Sequence, residues 1–246
     1  MSRPLVACRA TFPGHCAAAP GVDYSVAVSE SANPIADLPA AQPLLAARGL
    51  ACQRGARVLF SALSFTLGPG WAAVVEGANG SGKTSLLRIL CGLRPPEAGQ
   101  VLWEGRDAAR QRRHFHSQLA YVGHQEGVKA DLTVQENLAA AVALAGQHPE
   151  GLAEALARVG LGDHLDVLGG ALSAGQRRRV ALARLLVGGP ALWVLDEPFT
   201  ALDTGGRELV TGLLEEHLAG GGLAVVASHH PLGLSENRVQ PVAIQP

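Results

Sequence analysis

Residues Gly77-Ala78-Asn79-Gly80-Ser81-Gly82-Lys83-Thr84 satisfy G-x-x-x-x-G-K-[ST], a spacing whose chemistry is the grip on a polyphosphate. The glycines let successive backbone N–H groups converge on phosphate oxygens, and the helix that opens at Ser85 adds its positive dipole end. Lys83 is placed to reach the β- and γ-phosphates, and the Thr84 hydroxyl to ligate Mg²⁺. A second chemical feature closes the apolar run Ala191-Leu192-Trp193-Val194-Leu195, which ends in Asp196 and Glu197. Such a run reads as a strand buried on both faces, and acids at its C-terminal edge belong to a site. Asp196 can hold Mg²⁺ through water while Glu197, one residue further into the loop, polarises the water that attacks the γ-phosphate in line. ATP and Mg²⁺ are the cofactors this pairing implies.

The elements that must position these groups are legible as short apolar runs bounded by Gly, alternating with helical patterns from Leu44 onward. Strands are expected at Leu63-Leu67, Trp71-Glu76, Val101-Glu104, Leu119-Gly123, Ala191-Asp196 and Leu223-Ser228. Helices are expected at Lys83-Cys91, Val134-Ala145, Leu152-Val159, Ala174-Leu186 and Arg207-Leu218. The class is α/β. Three helical runs in succession between Val134 and Leu186 predict a helical subdomain, about 126–186, inserted between two parts of the sheet-bearing core. Thr133 and Glu136 fit a capping box at the start of its first helix, and Ser173 is a natural N-cap for the helix carrying Arg177, Arg178 and Arg179. No repeat occurs at solenoid periods.

The 246 residues, 48% hydrophobic and 17% charged, suffice for one core with a small subdomain. A formal net charge of -1 gives no field that would draw nucleic acid or an anionic membrane non-specifically. Cys8, Cys16, Cys52 and Cys91 are scattered without a C-x-x-C pair, so neither a zinc site nor a disulfide framework is indicated and a reduced, cytoplasmic setting fits. No window approaches the roughly 18 to 20 unbroken apolar residues of a membrane span. Residues 1–43, rich in Ala, Pro and Ser and without periodicity, read as a disordered extension; a targeting peptide is the alternative, since Arg3 and Arg9 precede the first acid, but its apolar stretch is missing.

The order of motifs resembles the ATP-binding cassette (ABC) family: the phosphate loop, then Gln125, then Leu172-Ser173-Ala174-Gly175-Gln176, then Asp196-Glu197, then His229. The resemblance implies a P-loop NTPase of the ABC type, with a RecA-like mixed sheet core, an antiparallel β subdomain and the inserted helical one. It also implies that two copies pair head to tail, so that Ser173, Ala174, Gly175 and Gln176 of one meet the γ-phosphate bound by the other. Gln125 then resembles the glutamine that senses Mg²⁺ and the γ-phosphate. Asp203, in Ala201-Leu202-Asp203, resembles the loop crossing the dimer interface, and His229 the switch histidine. Members usually stack an aromatic residue on adenine; by register Arg54 stands there, and a guanidinium can also stack on a base. His230, His114, His116 and His124 read as ordinary surface side chains.

Flanking residues narrow the resemblance. Tyr121-Val122-Gly123-His124-Gln125, then Gly127, Lys129, Leu132-Thr133 and Glu136-Asn137-Leu138, with Ala174 in the signature, resemble the CcmA branch of that family, the cytochrome c biogenesis ATP-binding export proteins. That branch implies a haem-transporting ATPase, peripheral on the cytoplasmic face of the inner membrane, working with integral subunits of the CcmB and CcmC kinds. It leaves open whether haem is moved or a haem chaperone released. Three readings stay open beside it: an ABC subunit for another cargo, a soluble cassette acting on nucleic acid or ribosomes, and a nucleotide-binding module that does not hydrolyse. The last is opposed by Glu197.

Overall fold

The computed structural model describes residues 44–146, 148 and 150–244. The expected N-terminal extension, its targeting alternative, Cys8 and Cys16 lie outside the described residues.

Strands β1 (Leu45–Arg54) and β2 (Arg57–Leu67) form an antiparallel hairpin. The former also pairs antiparallel with β4 (Ala98–Trp103), beside which lies β5 (Arg106–Asp107), in the order β2-β1-β4-β5. The sequence pattern misses β1 because its register shifts between Ala47 and Leu50, again before Cys52 and again before Gln53, which breaks the two-residue alternation.

The second sheet carries the chemistry. Its five strands run β6 (Leu119–Val122), β7 (Leu192–Asp196), β8 (Leu223–Ala227), β3 (Ala72–Glu76) and β9 (Val239–Ala243), parallel throughout. The antiparallel pairing thus forms a sheet of its own. Every residue of β7 and β8 is buried, the continuous apolar reading of strands covered on both faces. Alternate side chains divide between two cores: Trp193 and Leu195 pack with Val180 and Leu214, while Leu192 and Val194 pack with Leu86, Leu90 and Phe60. In register, Val75 and Asp196 both face Ala227. The C-terminal ends of β3, β7 and β8 therefore reach one edge together, where open parallel sheets bind ligands. The strand β9 escaped notice because Pro241 argues against a strand; at a sheet edge its missing N–H costs no ladder bond.

The helices are α1 (Lys83–Leu90), α2 (Arg112–Ser117), α3 (Val134–Leu144), α4 (Leu152–Arg158), α5 (Ala174–Ala183) and α6 (Thr204–Ala219). Between β6 and β7 only α3, α4, α5 and short 3₁₀ turns occur among the described residues, as the three helical runs lead one to expect. The helix expected to run to Leu186 ends its α-turns at Ala183, and Arg184–Leu186 tightens to 3₁₀. The last helix starts at Thr204, ahead of the expected Arg207. Asp203 caps it through Gly206 N–H at 2.8 Å, and a Cβ on Gly206 would lie 2.9 Å from that Asp203 oxygen, so the glycine is the capping contact rather than a loop marker.

Candidate functional site

The phosphate loop leaves β3 and turns into α1 at Gly82, whose φ of 115° lies in the region open to glycine; a Cβ there would also meet Leu59 Cβ at 3.1 Å. No side chain caps α1 and no acid stands in its first turn. Its leading N–H groups therefore keep their donors for an anion. Lys83 Nζ donates to Gly77 O at 2.7 Å and stands 3.3 Å from His229 Nε2. In this arrangement the ammonium lies along the loop it must serve.

The ends of β7 and β8 supply the opposite wall. Glu197 has a φ of 52°, a left-handed conformation costly for a side-chain-bearing residue. It is held from both sides: its N–H donates to Ala227 O at 2.8 Å, and its carbonyl accepts from Thr200 N–H at 3.2 Å and from Arg178 Nη2 at 2.7 Å. The result is a side chain only 17% exposed, with His229 N–H at 3.3 Å from one carboxylate oxygen and His229 Nε2 at 3.5 Å from the other. Asp196 is buried, and its Oδ2 has no hydrogen-bond partner among the described residues. A carboxylate with an orphaned oxygen at a strand end, on a residue that lines the same cavity as Thr84, is a donor set that suits Mg²⁺. Thr84 and Asp196 fit that ion.

Lys83, Thr84, Ser85, Asn79, Asp196, Glu197 and His229 line one cavity of about 650 Å³. Arg54 lines it too, at the tip of the β1–β2 hairpin, where it pairs in register with Arg57, a second cation of the same cavity. Sequence reasoning passed over Arg57; the hairpin register, which brings it opposite Arg54 three residues earlier, was the available signal. Of the four histidines read as ordinary surface side chains, two border this cavity while staying exposed. His124 and His230 both line this cavity, because each sits on a loop leaving a core strand at the same sheet edge. His114 and His116 do not; they contact Glu104 at 3.1 Å and Cys91 O at 3.2 Å. Gln125, one residue past His124, is exposed and outside the cavity lining.

The other expected site residues gather elsewhere. Ser173, Ala174, Gly175, Gln176 and Asp203 line a separate cavity of about 710 Å³. Its order comes from a complete capping box: Ser173 Oγ accepts from Gln176 N–H at 3.2 Å, and Gln176 Oε1 accepts from Ser173 N–H at 2.9 Å. Arg179 links α5 to Asp203 at 3.5 Å. The two cavities share no lining residue, so within one chain the signature does not reach the phosphate loop.

Between the cavities runs Arg178, a buried guanidinium absent from the sequence-derived site. It donates to Gly123 O at 2.8 Å, Asp196 O at 2.8 Å, Glu197 O at 2.7 Å and Pro198 O at 3.3 Å. Burial pulls it below the usual arginine value, and the charges of Glu126, Asp196 and Glu197 oppose that pull.

The profile of the ABC transporter family matches residues 60–200. The cytochrome c biogenesis ATP-binding export protein CcmA of Methylococcus capsulatus is 53% identical over 190 residues, covering 76% of this chain and 92% of that protein. The proteins of that name from Nitrosococcus oceani and Escherichia coli K12 are 49% and 43% identical, each match covering 82% of this chain and 94% and 96% of theirs. Among solved structures, an ATP-binding subunit of an ABC transporter matches with a TM-score of 0.71 at 22% identity, over 82% of this chain and 88% of its own. An ABC transporter ATP-binding protein from Pyrococcus furiosus matches at 0.68 and 25%, over 80% and 96%.

Proposed function

This chain belongs to the ABC transporter family, and we propose that it is the ATP-hydrolysing subunit of a cytochrome c biogenesis complex, working as a head-to-tail pair. The observation that carries the pairing is the separation of the two cavities: one holds the phosphate loop, Asp196, Glu197 and His229, the other holds Ser173 to Gln176 and Asp203. A second copy supplies to each phosphate cavity the signature that its own chain cannot. Ser173 Oγ already accepts a hydrogen bond from the Gln176 N–H, which leaves its hydroxyl hydrogen, with the N–H groups of Ala174 and Gly175, to donate to a γ-phosphate.

Within the site, Lys83 Nζ exchanges Gly77 O for a phosphate oxygen. Glu197 polarises the attacking water while the His229 backbone N–H holds its carboxylate in place. Mg²⁺, when bound by Thr84 and Asp196 with Gln125 closing toward it, supplies charge neutralisation for the β- and γ-phosphates. Arg54 stacks on adenine.

The share of the relatives' length covered, 92–96%, and their common name support the cytochrome c biogenesis reading. No helix among the described residues is long and apolar enough to cross a membrane. In this reading the membrane is met through partners of the CcmB and CcmC kinds, at its cytoplasmic face. An open apolar groove of about 560 Å³, lined by Leu93, Tyr121, Ala141, Leu144 and Arg184, suits a helix of such a partner; Leu144 is 86% exposed there. The species served is haem, either moved directly or through release of a haem chaperone.

Two measurements test this. Glu197→Gln is expected to lower ATP turnover by about 10² to 10⁴-fold and to trap an ATP-bound dimer; turnover at the parental rate sinks the role given to Glu197. Purification of the intact protein from membranes is expected to bring CcmB- and CcmC-type subunits with it. Recovery of a different permease instead assigns the chain to another cargo.

A further inference from the structure

Arg178 combines three features that the family reading leaves unused. It is 1% exposed; its four hydrogen bonds all go to backbone carbonyls; and those carbonyls belong to two different loops of the phosphate cavity. A buried cation without a carboxylate within the ion-pair range among the described residues offsets its desolvation through these four carbonyls, so it stays only while they keep their places around it. What it gives is geometry. Gly123 closes β6 and precedes His124 and Gln125; Asp196, Glu197 and Pro198 form the turn after β7.

The strain at Glu197 makes that geometry matter. Its left-handed φ of 52° persists only while its surroundings overdetermine it, and the shortest bond to its carbonyl is the 2.7 Å contact from Arg178. The same guanidinium holds Gly123 O at 2.8 Å through its other nitrogen. A rigid planar fork cannot move with one loop without pulling the other. It sits on α5, four residues after the Ala174 that opens the signature helix. One side chain on α5 is thereby bonded to both loops.

We propose that Arg178 is a positioning residue that couples the loop carrying His124 and Gln125 to the backbone of Glu197, so that the placement of α5 sets the aim of the catalytic carboxylate. This rests on the ATPase reading of Glu197 above.

The test uses the full chain in its membrane complex, with Arg178→Met and Arg178→Lys compared by turnover, ATP affinity and exchange of individual amide hydrogens. Arg178→Met is expected to lower kcat by about 10-fold or more while ATP affinity changes by less than about 2-fold, the pattern of an interaction that counts in the transition state. Arg178→Lys, a point charge that reaches fewer of the carbonyls, is expected to fall between it and the parent. In the Lys variant, which also serves if the Met variant does not fold, exchange at the Glu197 and Thr200 amides is expected to quicken while that of α1 stays unchanged. Parental kcat in Arg178→Lys together with unchanged exchange at those amides overturns the proposal, as does a loss of thermal stability with kcat per folded molecule unaltered. Glu197→Gln run alongside separates the two failures: parental turnover there defeats the reading of the site itself, whereas an inactive Glu197→Gln beside a parental Arg178→Lys defeats only the coupling.

Discussion

The helices α1 and α5 both present an N-terminus to nucleotide in the proposed dimer, yet they begin in opposite ways. The first opens from Gly82 with no side-chain cap and no acid in its first turn. The second opens from a closed capping box, Ser173 with Gln176, the same device that starts α3 at Thr133 and Glu136. An uncapped N-terminus leaves its donors unsatisfied until an anion arrives, whereas a boxed one already has two of them paired and holds only the rest, here Ala174 and Gly175 N–H, for a ligand. The difference teaches that α1 is the primary phosphate grip of each chain. The other helix offers a formed but secondary contact, suited to engaging and releasing a phosphate that another copy already holds.

Breaking the primary grip has the largest expected effect. Lys83→Ala removes the ammonium next to Gly77 O and His229, and ATP binding by the isolated chain is expected to fall by about 100-fold or more. Retained tight binding, measured by titration with a fluorescent nucleotide, would sink the assignment of the loop. On the other helix, Ser173→Arg is expected to abolish turnover while ATP affinity of the isolated chain stays within about 2-fold, since that residue lines a separate cavity. If binding and turnover fall together, the two helix starts are not the distinct devices described above.

Smaller effects sharpen the picture. Arg54→Ala is expected to weaken ATP binding several-fold, about 1 kcal/mol, through loss of stacking beside Arg57; unchanged affinity counts against the adenine role. Thr133→Ala, in the box that serves no ligand, is expected to cost about 1 kcal/mol of stability with turnover per folded molecule intact. Equal loss of turnover would mean that α3 is part of the machinery.

The smallest effect lies at the far end of α6, the helix that Asp203 caps. His217 stacks on Trp193 with ring centroids 3.9 Å apart, and burial lowers its pKa from the ordinary 6.5. The folded chain therefore binds fewer protons there than the unfolded one. Stability from this group is present above about pH 6.5 and is lost as pH falls through the lowered folded value. His217→Gln is expected to flatten the acid limb of the melting temperature between about pH 7 and pH 5. An equally steep limb in the variant would assign the acid sensitivity to other groups.

What could be read from the sequence divides along the same physical lines as the site. Strands buried on both faces, β7 and β8, announced themselves as continuous apolar runs, and Asp196 and Glu197 followed from where those runs stopped. The phosphate loop and Ser173 were legible because caps and tight turns demand particular residue types at fixed spacing. Strand β1 was hidden by register shifts and β9 by Pro241, both features of edges and bulges where the alternating pattern fails. His124 and His230 enter the cavity only through pairing between strands distant in sequence, which no local window reports, whereas Arg57 enters through the local hairpin register. Arg178 was visible as one of three arginines after the signature, but helical phase alone could not reveal that it turns inward to four carbonyls.

The central claim is that a working site takes its phosphate loop from one copy and its signature from another. Lys83→Ala spoils the first and Ser173→Arg the second, so neither variant alone should turn over ATP. Mixed and allowed to exchange subunits in the membrane complex, they form heterodimers in which one site pairs the intact phosphate loop of one copy with the intact signature of the other. ATP hydrolysis is expected to reappear in the mixture and to rise with the fraction of heterodimer. A mixture whose heterodimers form and yet remain as inactive as either parent would contradict the account.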